Sequence, residues 1–418
     1  MRSPWALIGW RNLGRNRRRT LLTAGGLAVG YVSVVVIAGL TEGIVDEMLR
    51  NGTGVLPGQI QIHGPGYLPD RDLYRTIGGR GGIDVAALLA AAEREGGIAA
   101  AAPRVYAGGL VSTGAATAGA VFVGVDAERE RRTTLLLTAL SEGRDPAPGA
   151  RELLIGRDLA RLLAAGIGDE VVVVAPAADG SLGNDLFTVS GIFTTGMAEL
   201  DLATVVLPLD VLQELLVLPP GRIHEVAVKV PRPWDAPAIA TALQARLGPD
   251  TSTVVVVPWT TFRPEMADYA QLAEGSYWIV LVIVFVMAIF GVANTMLMAT
   301  FERRYEIALL LTLGGSPWGL VRSILVEALA LGTISIGVGS IVSVGLLVWW
   351  HHVPLDLSRV FEGFRVAGSF VRPVMRAEYP VAMFFEAAVA LIATAVLASI
   401  YPAFRATRTA PAETLAGR

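Results

Sequence analysis

Four long apolar runs constrain the fold of this chain more than any other feature. Each run holds about twenty or more residues, enough for a helix to cross the roughly 30 Å hydrocarbon core of a bilayer. The runs predict four transmembrane helices, at residues 20–42, 275–301, 320–350 and 380–404. The content of charged residues supports this, because it is 17% here against roughly 25% in typical soluble domains.

The arginines set the expected orientation of these helices. They precede the first span and follow the second and fourth, at Arg17, Arg18, Arg19, Arg303, Arg304, Arg405 and Arg408. Under the positive-inside rule, both termini and residues 302–318 and 405–418 are then cytoplasmic, whereas residues 43–273 and 351–379 lie outside. The alternative is a cleaved secretory signal in residues 1–40, although the first run exceeds the roughly 7–15 residues of a signal-peptide core.

Residues 1–19 are expected to form a short interfacial helix on the cytoplasmic surface of the membrane. Trp5 and Trp10 precede the arginine cluster that leads into the first span. Indole rings favour the headgroup region, and arginines favour anionic lipid. Membrane lipid is therefore an expected partner of this segment. A disordered basic leader is the alternative.

The outside segment, residues 43–273, is long enough for an independently folded domain. A strand pattern at 58–66 and a helix pattern at 83–95 open it, and a β-α-β pattern at 224–259 closes it. The middle, roughly residues 105–216, is richer in strand patterns. The predicted fold class is therefore an α-helical membrane protein with four transmembrane helices. A large α+β domain of two lobes lies between helices 1 and 2, with its first lobe built from both ends of the segment.

The sequence contains no constellation typical of catalysis or metal binding. It has no Cys, and its single lysine, Lys229, lacks the G-x-x-x-x-G-K-[ST] frame of a phosphate-binding loop. His63 and His224 are far apart in sequence, and the adjacent His351 and His352 point apart. Five acids are expected at turns or solvent faces: Asp169, Glu170, Asp185, Glu199 and Asp201. A net charge of −3 argues against a nucleic-acid partner.

Three polar residues interrupt the predicted spans. Glu327 and Glu386 are carboxylates, and Asn294 is an amide that can bond across helices. An intramembrane carboxylate is a functional candidate, for instance in a proton relay. Both glutamates, however, lie about two turns from an expected interface, since a turn holds about 3.6 residues, which favours capping or pairing there.

Small residues recur at every fourth position in two spans. They are Gly26 and Gly30 in the first span, and Ser335, Gly339 and Ser343 in the third. This spacing permits close approach of helix backbones. We expect these residues at helix contacts, within the chain or in a dimer.

A short amphipathic helix is expected over residues 301–313, between the second and third spans. Glu302, Arg303 and Glu306 fall on one side, with Ile307, Leu310 and Leu311 on another. Gly314 and Gly315 end the helix, and Ser316 caps the next one. The segment is either a solvated turn or a docking element for a cytoplasmic partner.

Three segments carry a family resemblance. ERRYEIALLLTLGGSPWGLVRSILVEALALG (302–332) resembles the signature of FtsX/MacB-type (type VII) permeases of ABC transporters. WRNLGRNRRRTLLTAGGLAVG (10–30) and YPAFRATRTAPAETLAGR (401–418) resemble the terminal segments of the same family. GVANTMLMATFERRYE (291–306) is most similar to the lipoprotein-releasing Lol-type permeases. The chain departs from the family at Thr312–Gly315, where A-L-G-A is common.

The resemblance implies a mechanotransmitting permease in the bacterial inner membrane, with a periplasmic outside domain. It implies a dimer with a second copy or a paralogue, and a separate cytoplasmic ATPase that holds ATP and Mg²⁺, so that this chain binds no cofactor itself. The coupling residues carried over are Glu302, Arg303, Arg304, Glu306, Leu313, Gly314 and Ser316. A periplasmic lipoprotein, chaperone or adaptor is the implied further partner.

Several functions remain open at this point. Lipoprotein release, tripartite efflux with a periplasmic adaptor, and regulation of a cell-wall hydrolase all suit the layout. A membrane sensor or scaffold with a ligand-binding outside domain is the alternative of another class, and it predicts no ATPase partner.

Overall fold

The computed structural model describes residues 14–15, 17–80, 82–248, 253–356, 364–366, 369–371 and 374–408. The chain forms two compact units. The helix unit comprises Met1–Val45, Ala270–Glu362 and Arg372–Arg418, and the sheet unit comprises Asp46–Tyr269 and Gly363–Val371. Trp5, Trp10 and residues 409–418 lie outside the described part of the chain.

The secondary structure alternates between long helices and a strand-rich segment. The helices are α1 (Arg17–Gly54), α2 (Val85–Glu93), α3 (Ala127–Thr133), α4 (Arg157–Leu163), α5 (Ala198–Ala203), α6 (Leu209–Leu215), α7 (Ala236–Leu247), α8 (Trp259–Phe262), α9 (Pro264–Glu302), α10 (Arg304–Thr312), α11 (Pro317–His352) and α12 (Val381–Thr407). The strands are β1 (Ile60–His63), β2 (Ile77–Gly78), β3 (Ala100–Ser112), β4 (Thr117–Val125), β5 (Leu140–Gly143), β6 (Glu152–Gly156), β7 (Glu170–Pro176), β8 (Leu182–Phe193), β9 (Thr204–Pro208), β10 (Arg222–Ile223), β11 (Glu225–Lys229), β12 (Val255–Pro258), β13 (Leu355–Asp356), β14 (Phe364–Val366), β15 (Ser369–Val371) and β16 (Val374–Met375).

Four helices, α1, α9, α11 and α12, are long and apolar enough to cross a membrane. Each overlaps one of the four predicted spans. α1 continues beyond residue 42, and α9 begins before residue 275. The apolar run therefore marks only part of each helix, because intrahelical hydrogen bonding continues into the polar flanks.

A buried apolar core joins the four long helices. It includes Tyr31 of α1, Phe285 of α9, Leu331 of α11 and Leu391 of α12. Tyr31 is 1% exposed, and its hydroxyl donates to the carbonyl oxygen of Phe384 at 3.3 Å. Many outward-facing side chains of the same helices are also apolar. This pattern is typical of helices in lipid, where the surroundings are as apolar as the core.

The sheet unit is built on a ten-stranded sheet in the order β12-β1-β11-β3-β4-β9-β6-β8-β5, with β7 paired to β3 and β8. The strand pairing within this sheet makes a closed circuit: β3 pairs with β4, β4 with β9, β9 with β6, β6 with β8, β8 with β7, and β7 again with β3. Six strands thus form a ring, which leaves these strands no unpaired edge along the ring. On one face of the ring, Tyr106, Val123, Leu154, Phe193 and Val206 form a buried apolar cluster with Leu56, Leu136 and Leu137.

The long strand β3 belongs to two parts of the sheet. Its residues Ala100–Arg104 pair with β11, whereas Leu110–Ser112 pair with β7 of the ring. Strand β11 pairs with β1, and β1 pairs with β12. Helix α2 packs against β3, and α7 packs against β12. The first and last strands of the ten-stranded sheet, β1 and β12, therefore lie side by side.

Short strands also occur within residues 351–379. β13 pairs with β16, and β14 pairs with β15, both antiparallel.

Candidate functional site

The segment between α9 and α11 forms the candidate coupling site. Helix α9 ends at Glu302, and α10 begins at Arg304 after a break at Arg303. Ile307 and Ala308 of α10 are buried. Ile307 packs in a cluster with residues of α11 and α12, namely Leu320, Val321, Ile324, Ala403 and Ala406. One face of the short helix is thus fixed to the ends of the two helices beside it.

Gly314 ends α10 in a Schellman motif. The amide of Gly315 donates to the carbonyl oxygen of Leu310 at 2.9 Å, and that of Gly314 donates to Leu311 at 3.2 Å. The φ of Gly314 is +87°, a left-handed conformation that glycine adopts without the steric cost of a Cβ atom. The Gly-Gly pair therefore turns the chain from α10 towards α11.

Ser316 lies at the N-cap of α11, and Pro317 occupies its first turn. The Ser316 hydroxyl, however, makes no capping hydrogen bond. The side-chain cap expected from the sequence is therefore wrong. Pro317 at the first helical position has a backbone preset for the helix and leaves no amide hydrogen there to satisfy.

The charged residues of the segment are paired within the chain. Glu306 accepts two hydrogen bonds from the Arg15 guanidinium, one of them at 3.0 Å. Glu302 Oε2 accepts a hydrogen bond from Arg19 Nη1, also at 3.0 Å. Both glutamates thus contact the basic start of α1, and both remain 45% exposed. The docking surface expected from Glu302 and Glu306 is therefore already engaged with the chain's own arginines.

Glu327 is the centre of this network. Its two carboxylate oxygens lie 3.7 Å from Arg19 Nη2 and 3.3 Å from Arg303 Nη1. The Glu327 side chain is only 8% exposed. The carboxylate therefore joins the start of α1 to the end of α9 from its place in α11. This geometry matches the pairing alternative for Glu327.

The outer side of the coupling site is apolar. Tyr305, Leu309 and Leu313 are 58%, 46% and 77% exposed, and Trp318 at the start of α11 is 65% exposed. Arg304 and Ser316 are also exposed. An exposed group of large apolar side chains is typical of interaction sites. We call these four side chains the apolar docking face.

The two sets of small residues have different surroundings. Ser335, Gly339 and Ser343 are buried, and Ser335 Oγ donates to the carbonyl oxygen of Ala24 in α1 at 3.0 Å. A Cβ atom on Gly339 would lie 2.7 Å from Tyr31 Cδ1. This set of small residues therefore packs α11 against α1 within one chain.

Gly26 and Gly30 line a groove of about 560 Å³ between α1 and α9. A Cβ atom added to Gly30 would lie 3.3 Å from Val284 Cγ1. One added to Gly26 would have no other atom within 4 Å. This set leaves an accessible surface on the helix unit.

The other polar residues predicted in the spans lie on the surface of the helix unit. Asn294 is exposed on α9, and Glu386 is exposed on α12. Arg17 and Arg18 are exposed at the start of α1, as expected of residues that contact lipid headgroups. None of these four residues belongs to the ion-pair network around Glu327.

The sheet unit contains a buried charged cluster that sequence reasoning missed. Arg104 of β3 pairs with Glu130 and Glu225 at 2.6 and 3.4 Å, and all three side chains are fully buried. The Tyr106 hydroxyl donates to Glu225 Oε1 at 3.0 Å. The only sequence signal was a charged residue in the apolar stretch Ala100–Val105.

The two histidines of the sheet unit meet in space although they are far apart in sequence. Tyr67 lies between them, with its ring 5.2 Å from that of His63 and 5.9 Å from that of His224. Burial lowers the pKa of both histidines. Across the described residues, no group of three or more His, Asp and Glu side chains is placed to hold a metal ion.

Asp201 is buried rather than on a solvent face. Its carboxylate accepts hydrogen bonds from the amides of Thr195 and Gly196, at 2.8 and 3.2 Å. It therefore stabilises the turn before α5.

Two family models match this chain. A MacB-like periplasmic core domain matches residues 20–246, and an FtsX-like permease C-terminal domain matches residues 278–411. The first model alone covers more than half of the 418 residues.

Known proteins of the same kind are similar along the chain. The lipoprotein-releasing system transmembrane protein LolC of Neisseria meningitidis is 27% identical over 433 residues, which cover 98% of each chain. The macrolide export ATP-binding/permease protein MacB 1/2 of Paracoccus denitrificans is 26% identical over 83% of this chain and 51% of that protein. The periplasmic region of MacB from Actinobacillus actinomycetemcomitans covers 49% of this chain and 90% of its own, at 13% identity and a TM-score of 0.34.

The matched models account for the four apolar helices, for the sheet unit and for the segment that joins α9 to α11. The chain belongs to the FtsX/MacB-type family of ABC transporter permeases, with a MacB-like periplasmic core domain, and is similar to the lipoprotein-releasing LolC proteins.

Proposed function

We propose that this chain is the membrane subunit that couples ATP hydrolysis by a separate cytoplasmic ATPase to mechanical work in the periplasm. The observation that carries the proposal is the apolar docking face. Tyr305, Leu309 and Leu313 lie on or directly after α10, whose other face is buried, and Trp318 lies at the start of α11. A groove on the partner ATPase would cover these side chains, as grooves cover amphipathic helices elsewhere.

Force applied to α10 has a direct route into the long helices. The buried face of α10 packs on the start of α11 and the end of α12. Glu306, Arg303 and Glu302 connect the same segment to Arg15, Glu327 and Arg19. A shift of α10 therefore acts on four helices at once. ATP and Mg²⁺ belong to the ATPase in this scheme, and this chain supplies no catalytic residue.

The same proposal sets the topology and the assembly. The chain lies in the bacterial inner membrane with both termini in the cytoplasm, since the exposed Arg17 and Arg18 and the coupling site share that side. The sheet unit is then periplasmic. A second copy or a paralogue packs along the accessible groove at Gly26, where a close approach of helix backbones meets no side chain.

Release of lipoproteins is the work that we propose, because the LolC relative is similar over 98% of both chains. Efflux through a periplasmic adaptor is the second candidate. It is favoured by the MacB relative, of which this chain covers 51%.

The test is co-expression with the cognate cytoplasmic ATPase, followed by purification and a hydrolysis assay. Leu309→Asp with Leu313→Asp should abolish co-purification, because each change places a charge in the apolar contact. Leu182→Asp is the matched control, since Leu182 is 67% exposed on the sheet unit and should leave the complex intact. A double variant that still binds the ATPase and supports the same hydrolysis would refute the coupling role.

Reversal of Glu302 and Glu306 is a poorer test, because those residues pair with Arg19 and Arg15 inside the chain. The cargo needs a separate assay with the intact complex in liposomes. ATP-dependent release of an acylated protein supports lipoprotein release, whereas co-purification of a periplasmic adaptor without such release supports efflux.

A further inference from the structure

A cavity of about 390 Å³ lies inside the sheet unit. Its walls come from the end of α1, from the loop that follows β1, from α5 and from α8. This volume falls within the roughly 300–1,000 Å³ of ordinary small-molecule sites. Much of the wall is apolar, including Val55, Leu56, Leu68 and Leu200.

Arg71 supplies a cation to this cavity. Its guanidinium stacks over the Tyr106 ring, 4.3 Å from the ring centroid. Among the described residues, no side chain forms a hydrogen bond or an ion pair with Arg71 in this structure. The other arginine in the wall, Arg263, pairs with Glu265 at 3.3 Å. The donors of Arg71 are thus the ones left for a ligand.

The position of Arg71 is held from two sides. Its φ is +53°, a left-handed conformation that arginine rarely adopts and that tertiary contacts must therefore maintain. Tyr106, on which it stacks, is fixed by Arg104 and Glu225, through contacts of 3.2 and 3.0 Å to the phenol oxygen. A guanidinium held in this way is preorganised for an anion.

Gln61 supplies an acceptor to the same cavity. This residue of β1 is fully buried, and its Nε2 donates to the carbonyl oxygen of Pro57 at 3.2 Å. Its Oε1 accepts no hydrogen bond from any described residue. A buried acceptor without a donor destabilises a fold, so a ligand that donates to it gains affinity.

We propose that this cavity binds a small amphiphile that has an anionic group, a neighbouring hydrogen-bond donor and a short apolar chain. The anion contacts Arg71, the donor reaches Gln61 Oε1, and the chain lies against the leucines of the wall. Both a phosphate beside an ammonium group, as in a lysophospholipid, and a carboxylate beside an amide have this chemistry. The site concerns the sheet unit alone and does not depend on the ATPase.

The test is calorimetric titration of the full chain in nanodiscs, with empty nanodiscs as the blank. Three short-chain probes separate the sources: hexanoyl lysophosphatidylethanolamine, N-hexanoyl serine and neutral monohexanoyl glycerol. Tighter binding of the first probe than of the second identifies a phosphate ligand, and the reverse order identifies a carboxylate ligand. Both anions should bind at least about tenfold more tightly than the neutral probe, because only they engage Arg71.

Variants tie the binding to the cavity. Arg71→Gln should weaken the anionic probe at least about tenfold, and Gln61→Leu should weaken it less, because a neutral hydrogen bond is weaker. Val121→Trp, which fills the cavity from the rim, is the second route if Arg71→Gln fails to fold. Arg161→Gln is the control, since Arg161 is exposed on α4. Three outcomes would overturn the proposal. The neutral probe binds as tightly as the anionic probes, the anionic probes bind Arg71→Gln or Val121→Trp with unchanged affinity, or no probe binds at all.

Discussion

Two arginine–glutamate networks stabilise the two units of this chain, and they differ in burial. In the sheet unit, Arg104 and its partners Glu130 and Glu225 are completely buried. In the helix unit, Glu327 is shared by Arg19 and Arg303, whose side chains remain 17% and 16% exposed. The first network joins strands and a helix of one folded core, whereas the second joins the ends of three long helices.

The difference in burial decides what each network can do. A buried charge that loses its partner cannot recruit water, so the fully buried network has to stay complete. An ion pair whose arginines keep some contact with water loses less when it opens, because water replaces part of the lost contact. The first network therefore suits a static core. The second suits helix ends that can move relative to one another.

The largest expected effect is that of removing the buried arginine. Arg104→Leu leaves two buried carboxylates unpaired and should lower the free energy of unfolding by about 3–5 kcal/mol. Arg129→Gln is the control, because Arg129 and Glu93 form a partly exposed pair, and it should cost less than about 1 kcal/mol. Chemical unfolding of the detergent-solubilised chain measures both. Equal losses for the two variants would contradict the role given to burial.

The next largest effect should follow from Glu327→Gln. The variant keeps the shape of the side chain but removes the charge that Arg19 and Arg303 share. We expect a loss of about 1–2 kcal/mol, because hydrogen bonds to charged groups contribute roughly 1.5–3 kcal/mol and both arginines are partly exposed. The measurement is the thermal unfolding of the helix unit in nanodiscs.

Glu386→Gln is the matched control for this prediction. It changes a glutamate of another long helix that is exposed and lies outside the network. If both substitutions lower the unfolding temperature equally, the loss reflects the removal of any carboxylate from a long helix and not a specific role of Glu327.

The sequence predicted the parts of the structure that depend on local patterns. The four apolar helices are confirmed, because crossing a membrane requires a long and predominantly apolar run. The α/β character of the periplasmic domain is also confirmed, because patterns such as GDEVVVV are local. The boundary between its two proposed lobes stays a prediction.

Contacts between distant residues could not be predicted in this way. Arg19 and Glu302 are separated by 283 positions, and the sequence around neither residue indicates that the two form a contact. Strand β3 was missed because Ala100–Ala102 lack strand-forming side chains, and its place comes from pairing with β4 and β11. For the same reason the sequence predicted the short helix between α9 and α11 but not which of its faces is buried.

Acid should weaken the sheet unit through its buried histidine. The Tyr106 amide donates to His224 Nδ1 at 3.0 Å, so Nε2 carries the proton and donates to the carbonyl oxygen of Leu73. Burial lowers the pKa of His224 below its usual 6.5. The unfolded chain therefore binds the proton first, and stability present above pH 6.5 is lost as the pH falls below it, by at most about 1.4 kcal/mol per pH unit for this histidine.

Urea unfolding of the sheet unit between pH 7.5 and 5 measures this effect. His224→Gln keeps an acceptor for Tyr106 and a donor for Leu73 but cannot titrate, so its unfolding free energy should depend less on pH. His63, whose pKa is also lowered by burial, accounts for part of the slope that remains. An identical slope in the variant would exclude His224 as the titrating group.

The smallest effect should come from Arg15→Gln, although Arg15 and Glu306 form an ion pair with two hydrogen bonds. Both side chains are well exposed, at 61% and 45%. The attraction between them is therefore screened by water and salt, and ordering two long side chains costs entropy. We expect no measurable change in the unfolding temperature at physiological salt, and only a slight decrease at low salt. A decrease as large as that of Glu327→Gln would show that this exposed pair contributes as much to stability as the Glu327 network. Hydrogen-bond geometry, and not burial, would then decide how much an ion pair of this chain contributes.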